Sequence, residues 1–289
     1  MRKTALLIAS TSSGHGRGLH FVSRVAEGIR SSYDELSVFL SPSQEEGKRK
    51  VVAATGQGSE IIVLGGDGTF NAVINDLAPL GLRATLGYVN AGTLGDVGRN
   101  FGVSSRVGKA IKIIRSGHLA PFDVVEASSR EKTAFFAYMM ACGIYSEIPY
   151  VSKGYRKALL GRFDYYRLAL HDALKRSEVA YSLAGASLHK EGKSPFLLFL
   201  NGERVAGFHV NRNGNCADGK FEAFLAEPGA FNGLLHYLSR KKLFTSSFSS
   251  CHVDVDGETM WCLDGEPLLR GSLDIKCVPQ AFRVYTAAN

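Results

Sequence analysis

No apolar run in the 289 residues reaches the roughly 18 that a membrane-spanning helix needs. No CxxC pair occurs, and the five cysteines (Cys142, Cys216, Cys251, Cys262, Cys277) are odd in number and dispersed. That pattern argues against a zinc site and a disulfide framework, so reduced thiols in a cytoplasmic protein are expected. There is no internal repeat and no low-complexity tract. An RNP-like aromatic-basic motif, a helix-turn-helix signature and zinc-finger spacing are also lacking, so nucleic acid is not expected as a partner. The opening run Ala5-Leu6-Leu7-Ile8-Ala9 is short for a signal-peptide core and has no convincing cleavage site after it. It reads as a first strand.

What is present fits a globular chain long enough for two domains and a sizeable core, with 45% hydrophobic and 21% charged residues. The formal net charge of +7 suits a phosphate-rich ligand, nucleic acid or an anionic membrane surface, and charge alone does not choose among them.

The stretch Ile61-Ile62-Val63-Leu64-Gly65-Gly66-Asp67-Gly68-Thr69-Phe70-Asn71 carries the strongest signal. It begins as a short β-branched run, which reads as a buried strand. It breaks at glycines, then resumes at helical spacing with Phe70, Val73, Ile74 and Leu77. Glycine permits positive φ and close approach of a ligand to the backbone. The free N–H groups of the helix start favour an anion, with phosphate the obvious candidate.

Around it the pattern predicts strands over 3–9, 35–40, 61–64 and 84–89. Helices are predicted over 19–29, 44–55, 70–77 and 107–114. Alternation of this kind implies a parallel sheet, with ligands beyond the C-terminal strand ends. The polar loop 10–18, the turn 65–69 and a second Gly-rich turn at 90–96 should converge there. After Pro121 the character changes. Strands are predicted over 122–127, 134–141, 179–188, 195–200, 205–210, 221–225, 250–255, 260–263 and 273–277, with hairpin turns at Asn201-Gly202 and Asp256-Gly257. Helices are predicted over 146–176 and 231–242. The expected fold class is therefore α/β in two domains. Residues 1–120 form a parallel-sheet nucleotide-binding domain, and 121–277 a mostly antiparallel β-sandwich for the acceptor.

Gly65-Gly66-Asp67-Gly68-Thr69 with Asn71 resembles the nucleotide motif of the diacylglycerol kinase and sphingosine kinase superfamily. NAD kinases and phosphofructokinases carry similar segments, and the order of further matches decides. Gly14 and Gly16 resemble the N-terminal loop. Gly92-Thr93 with Asp96 resembles the second loop, PxGTxND. Asp123 falls where an acid opens the second domain, and residues 161–166 resemble a further family segment. Asp218-Gly219 is similar to a late turn, and Leu263-Asp264-Gly265-Glu266-Pro267 looks like the C-terminal LDGEP. Some positions depart from the family: Ser10-Thr11 stands where Asn-Pro is usual, Asn90 replaces the proline, and Gly95 replaces the asparagine before Asp96. The segment before Asp218 is also shorter. Small bacterial lipid kinases are the best fit in length. The resemblance also implies that residues 278–289 pack back on the first domain.

The resemblance implies an ATP- and Mg²⁺-dependent kinase that transfers the γ-phosphate to a lipid hydroxyl. ATP would lie along Gly65, Gly66, Asp67, Gly68, Thr69, Phe70 and Asn71, contacted by Thr93 and Ser43. Ser43 reads equally as a helix N-cap. Asp67, Asp96 and Asp123 are candidate magnesium- or phosphate-organising acids, the latter two also readable as turn or capping residues. Glu266 is the candidate base that takes the proton of the acceptor hydroxyl across an interdomain cleft. The earlier triplet Asp256-Gly257-Glu258 reads as a surface turn. Asn215, Asp218 and the Lys220 carbonyl match a structural magnesium site, with an empty turn as the alternative. His15, Arg17 and Arg99 are candidate phosphate contacts or solvated loop charges.

The expected partner is a lipid substrate at a membrane surface. The basic stretch 153–176 is either a bilayer-facing or a solvated face. A homodimer through a sandwich edge strand stays open. Two other functions also stay open: a kinase of another alcohol such as NAD, and a nucleotide-binding regulatory protein without catalysis, which Gly95 favours.

Overall fold

A computed structural model describes residues 2–10, 21–92, 95–103, 106–143, 178–205, 207–226 and 243–287. The chain divides into two compact units, Met1–Asp123 with Gln280–Asn289, and Val124–Pro279.

The first unit alternates strand and helix: β1 (Thr4–Ser10), α1 (Val22–Ile29), β2 (Glu35–Ser41), α2 (Gln44–Gly56), β3 (Glu60–Gly65), α3 (Asp67–Leu77), β4 (Thr85–Asn90), α4 (Asp96–Asn100) and α5 (Val107–Ser116). The strands run parallel in the order β2-β1-β3-β4. The end of the chain's last strand adds to β4, in register at Arg283↔Thr85. Strand β3 is buried on both faces, as its unbroken Ile61–Leu64 run requires. Its neighbours β1 and β4 supply Leu7, Leu86 and Val89 to the same core. Ser43 caps α2 by accepting the Glu46 N–H at 3.3 Å. Helix α5 ends on Gly117 in the left-handed region, φ 76°, where only glycine is unstrained. The returning strand is tied in by a polar cluster: the Tyr285 hydroxyl donates to Glu60 at 2.5 Å, and Tyr33 donates to the same carboxylate at 2.8 Å. Strand order reverses between β1 and β3, so the Gly-rich turn after β3 lies at the topological switch point of the sheet.

The second unit is built from β5 (Leu119–Ser128), β6 (Thr133–Phe136), β7 (Met139–Gly143), β8 (Val179–Gly185), β9 (His189–Ser194), β10 (Phe196–Leu200), β11 (Arg204–Val205), β12 (Phe208–His209), β13 (Phe221–Ala226), β14 (Leu243–Phe248), β15 (Ser250–Val255), β16 (Met260–Leu263), β17 (Glu266–Arg270) and β18 (Leu273–Tyr285). Strands β5 and β18 also reach into the first unit. One antiparallel sheet runs β14-β13-β10-β7-β16-β17. Facing it, β18-β15-β8-β9 with β5 and β6 form the other layer. Alternate residues of both layers, among them Phe136, Leu183, Phe199, Phe221, Val253, Trp261 and Ile275, interdigitate in one core. The buried Trp261 indole donates to the Gly271 carbonyl at 2.8 Å. The fold is therefore α/β joined to an antiparallel sandwich, as expected.

Several element readings need correction. The single strand over 134–141 is two, because the backbone leaves the ladder at Ala137 and Tyr138 to donate to the Asp264 carboxylate. Residues 205–210 form only the short β11–β12 ribbon. Asn201-Gly202 and Asp256-Gly257 are not hairpin turns, since β10 pairs with β7 and β13, and β15 with β8 and β18. Asp264-Gly265, at φ 48° and 92°, is a two-residue hairpin turn, joining β16 to β17. Strands β9, β14 and β17 were not anticipated. The expected helices over 146–176 and 231–242 lie outside the described residues. No helix among the described residues is long and apolar enough to cross a membrane.

Candidate functional site

Strands β3 and β4 are paired up to Gly65↔Asn90, so their following turns emerge side by side. The Ala91 N–H closes the pair on the Gly65 carbonyl at 2.9 Å. Helix α3 begins directly after Gly66, and no side chain caps it. Its first N–H groups therefore lack an intrahelical acceptor and face the end of the sheet. Three glycines permit the close fit. A Cβ on Gly65 would fall 2.6 Å from Thr69 Cβ, and one on Gly92 would fall 2.7 Å from Gly66 Cα. An uncapped helix start in a cradle that any Cβ would fill fits a phosphate.

Asp67 holds the cradle together. Its Oδ2 accepts the N–H groups of Gly95 (3.0 Å) and Asp96 (3.2 Å), and its Oδ1 accepts the Val97 N–H and the Tyr88 hydroxyl, both at 3.2 Å. The acid at the head of α3 thus caps the start of α4. Burial pushes the Asp67 carboxyl up, against the pull of these four donors. Burial likewise raises the Tyr88 phenol well above its ordinary value. With two donors on each oxygen, all four lone-pair positions of Asp67 are occupied, so direct magnesium ligation does not fit this carboxylate.

The other predicted residues divide. Asp96 is completely buried, with Arg99 Nη1 at 4.0 Å. Asp123 is completely buried and accepts the Gln280 N–H at 2.7 Å, where the chain re-enters the first unit with Gln280 at φ 49°. Phe70 is a core residue, edge-on to Tyr88 at 5.2 Å between ring centroids, so it can meet a ligand only through its backbone. Asn71 is buried and accepts the Asn75 amide at 3.0 Å. Ser43 serves as the α2 cap. Thr93, Gly14, His15, Gly16 and Arg17 lie outside the described residues.

Glu266 opens β17, half-buried, immediately after the Asp264-Gly265 turn. Sequence reasoning missed what fixes it. The buried Asp264 carboxylate accepts the N–H groups of Ala137 (2.6 Å), Tyr138 (3.1 Å) and Met139 (3.0 Å). Asn201 adds a bond from its amide to the Ala137 carbonyl at 2.9 Å. The Asp-Gly dipeptide was the available signal. The earlier triplet is a surface turn, with Glu258 on Arg270 at 3.0 Å. Asn215 and Asp218 are exposed, and each turns Oδ1 onto a backbone N–H two residues on, that of Ala217 and that of Lys220, at 3.0 Å. These are Asx turns. Among the described residues no group of three or more His, Cys, Asp or Glu side chains is placed to hold a metal.

Residues 4–127 match the family model of the diacylglycerol kinase catalytic domain. A diacylglycerol kinase of Staphylococcus saprophyticus is 27% identical over 279 residues, 89% of this chain and 90% of that protein. One from Staphylococcus carnosus is 27% identical over 307 residues, covering 99% and 96%. The crystal structure of a diacylglycerol kinase from Bacillus anthracis matches with a TM-score of 0.83 at 23% identity, over 99% of this chain and 97% of that one. Over residues 4–127 the chain is thus similar to the diacylglycerol kinase catalytic domain, and over most of its length to the staphylococcal diacylglycerol kinases.

Proposed function

We propose that this protein is a lipid kinase that moves the γ-phosphate of ATP to the hydroxyl of a diacylglycerol-like lipid. The observation that carries the reading is the uncapped start of α3, held against the β4 turn by Asp67. The names and coverage of the staphylococcal relatives support the choice of lipid as acceptor.

The backbone N–H groups of Asp67 and Gly68 receive phosphate oxygens, and Gly65, Gly66 and Thr69 shape the cradle. Thr93 and Ser43 complete the nucleotide contacts, with Ser43 also retaining its capping bond. Phe70 and Asn71 hold α3 in place from the core. Glu266 accepts the proton of the acceptor hydroxyl. The acceptor oxygen then bonds to the γ-phosphorus, the bond to the β–γ bridging oxygen breaks, and ADP leaves. Magnesium, when bound, would supply neutralisation of phosphate charge. Because Asp67 has no oxygen to spare, the ion would be carried mainly by phosphate oxygens and water, with Asp123 acting through the Gln280 backbone it holds and Asp96 through its place beside Arg99. The protein meets its substrate by peripheral contact with a membrane surface, which the positive charge favours.

The test is transfer of label from [γ-³²P]ATP with Mg²⁺ to lipids in mixed micelles, with NAD as the competing acceptor. Labelled lipid is expected. Label on NAD alone, or nucleotide binding with no transfer to any acceptor, would overturn the reading.

A further inference from the structure

Asn90 and Gly95 share one space. Asn90 closes β4 and is only 8% exposed. Its Oδ1 accepts the Gly92 N–H at 2.8 Å and the Tyr88 hydroxyl at 3.2 Å. An N–H donor facing that atom fixes it as the oxygen, so the amino group points the other way. There it meets Gly95. A Cβ built on Gly95 would fall on Asn90 Nδ2, and 2.7 Å from Asn90 Cγ. Gly95 has φ 66° and ψ 38°, a left-handed conformation that asparagine tolerates better than other residues with a side chain. Nδ2 has no hydrogen-bond partner among the described residues, although it stands beside the turns that build the phosphate cradle. Nδ2 is not among the buried side-chain atoms left without a partner, so this carboxamide, anchored through its oxygen, keeps an N–H₂ that solvent or a ligand oxygen can reach.

We propose that Asn90 is a nucleotide-binding residue whose Nδ2 donates to a phosphate oxygen, occupying from β4 the space that a side chain at position 95 would fill. The two positions then form an exchangeable pair: one carboxamide fits, from 90 or from 95, and two do not. This inference rests on the proposed nucleotide reading.

The test compares the full chain with Asn90→Ala, Asn90→Asp, Gly95→Asn and the double variant Asn90→Ala/Gly95→Asn, measuring MgATP affinity by titration calorimetry and thermal stability. Loss of one donor to a charged acceptor should weaken ATP about tenfold in Asn90→Ala. Asn90→Asp keeps the oxygen on Gly92 but replaces the donor with an acceptor, and should lose about tenfold more. Gly95→Asn alone should melt earlier than wild type. The double variant should regain affinity to within about threefold of wild type and melt higher than Gly95→Asn. Unchanged affinity in Asn90→Asp, or no recovery in the double variant, would overturn the donor role. Additive melting shifts would overturn the shared space. A wild-type protein that binds no ATP would overturn the nucleotide reading and the donor role together, while the melting comparison still decides the shared space.

Discussion

Asp67 Oδ2 accepts the backbone N–H of Asp96 at 3.2 Å, so the acid that begins α3 is also the cap of α4. Two turns from adjacent strands are thereby fastened to each other through one carboxylate, which also takes the N–H groups of Gly95 and Val97. Asp67→Asn places an N–H₂ against at least one of those donors. A loss of about 2–3 kcal/mol is expected in urea unfolding, with weakened nucleotide binding. Unchanged stability would show that the carboxylate does not organise the turns.

Asp264 should matter more to stability than its neighbours in sequence suggest. Its buried carboxylate is bonded to three consecutive N–H groups, at Ala137, Tyr138 and Met139. Asp264→Ala strands those donors, and a loss of about 3 kcal/mol or more is expected. Asp256→Ala, in the exposed turn of the other triplet, should stay within about 0.5 kcal/mol of wild type. Equal effects from the two would refute the distinction between the triplets.

Asp76 makes stability depend on pH. Burial raises its carboxyl from 3.8 to about 6, with Lys48 offsetting only part of the effect. Between those values the folded state holds a proton that the unfolded state has lost, so stability from this group falls as pH rises from about 4 to 6. Asp76→Asn should remove that slope and be more stable than wild type at pH 7, by about 1–2 kcal/mol after allowance for partial exposure. The comparison is the urea midpoint of the two proteins at pH 4.5, 5.5 and 7.

Much of the first unit was legible because its signals are local. The Ile61–Leu64 run, the glycines after it and the helical spacing of Phe70, Val73 and Ile74 each act within one turn of chain. Asp67 was visible as a residue but not as a cap, since its N–H donors lie 28–30 residues away. The sandwich was harder. The polar edge strand β9, His189-Lys190-Glu191-Gly192-Lys193-Ser194, has no apolar alternation to betray it. Asn201-Gly202, Asp256-Gly257 and Asp264-Gly265 look alike locally. Only the pairing of β16 with β17 makes Asp264-Gly265 the hairpin, and that choice is made across the sheet. Asn90 read as a departure from a family pattern. Its fit against Gly95 emerges only when both turns are folded.

In the proposed reaction Glu266 activates the acceptor while the turn at residues 65–69 holds the donor. The direct measurement is label transfer from [γ-³²P]ATP to diacylglycerol in mixed micelles by Glu266→Gln, with MgATP affinity measured on the same preparation. Transfer should fall at least about 100-fold, as loss of a general base requires, with affinity within about threefold of wild type. A Glu266→Gln protein that phosphorylates lipid at the wild-type rate would contradict the account.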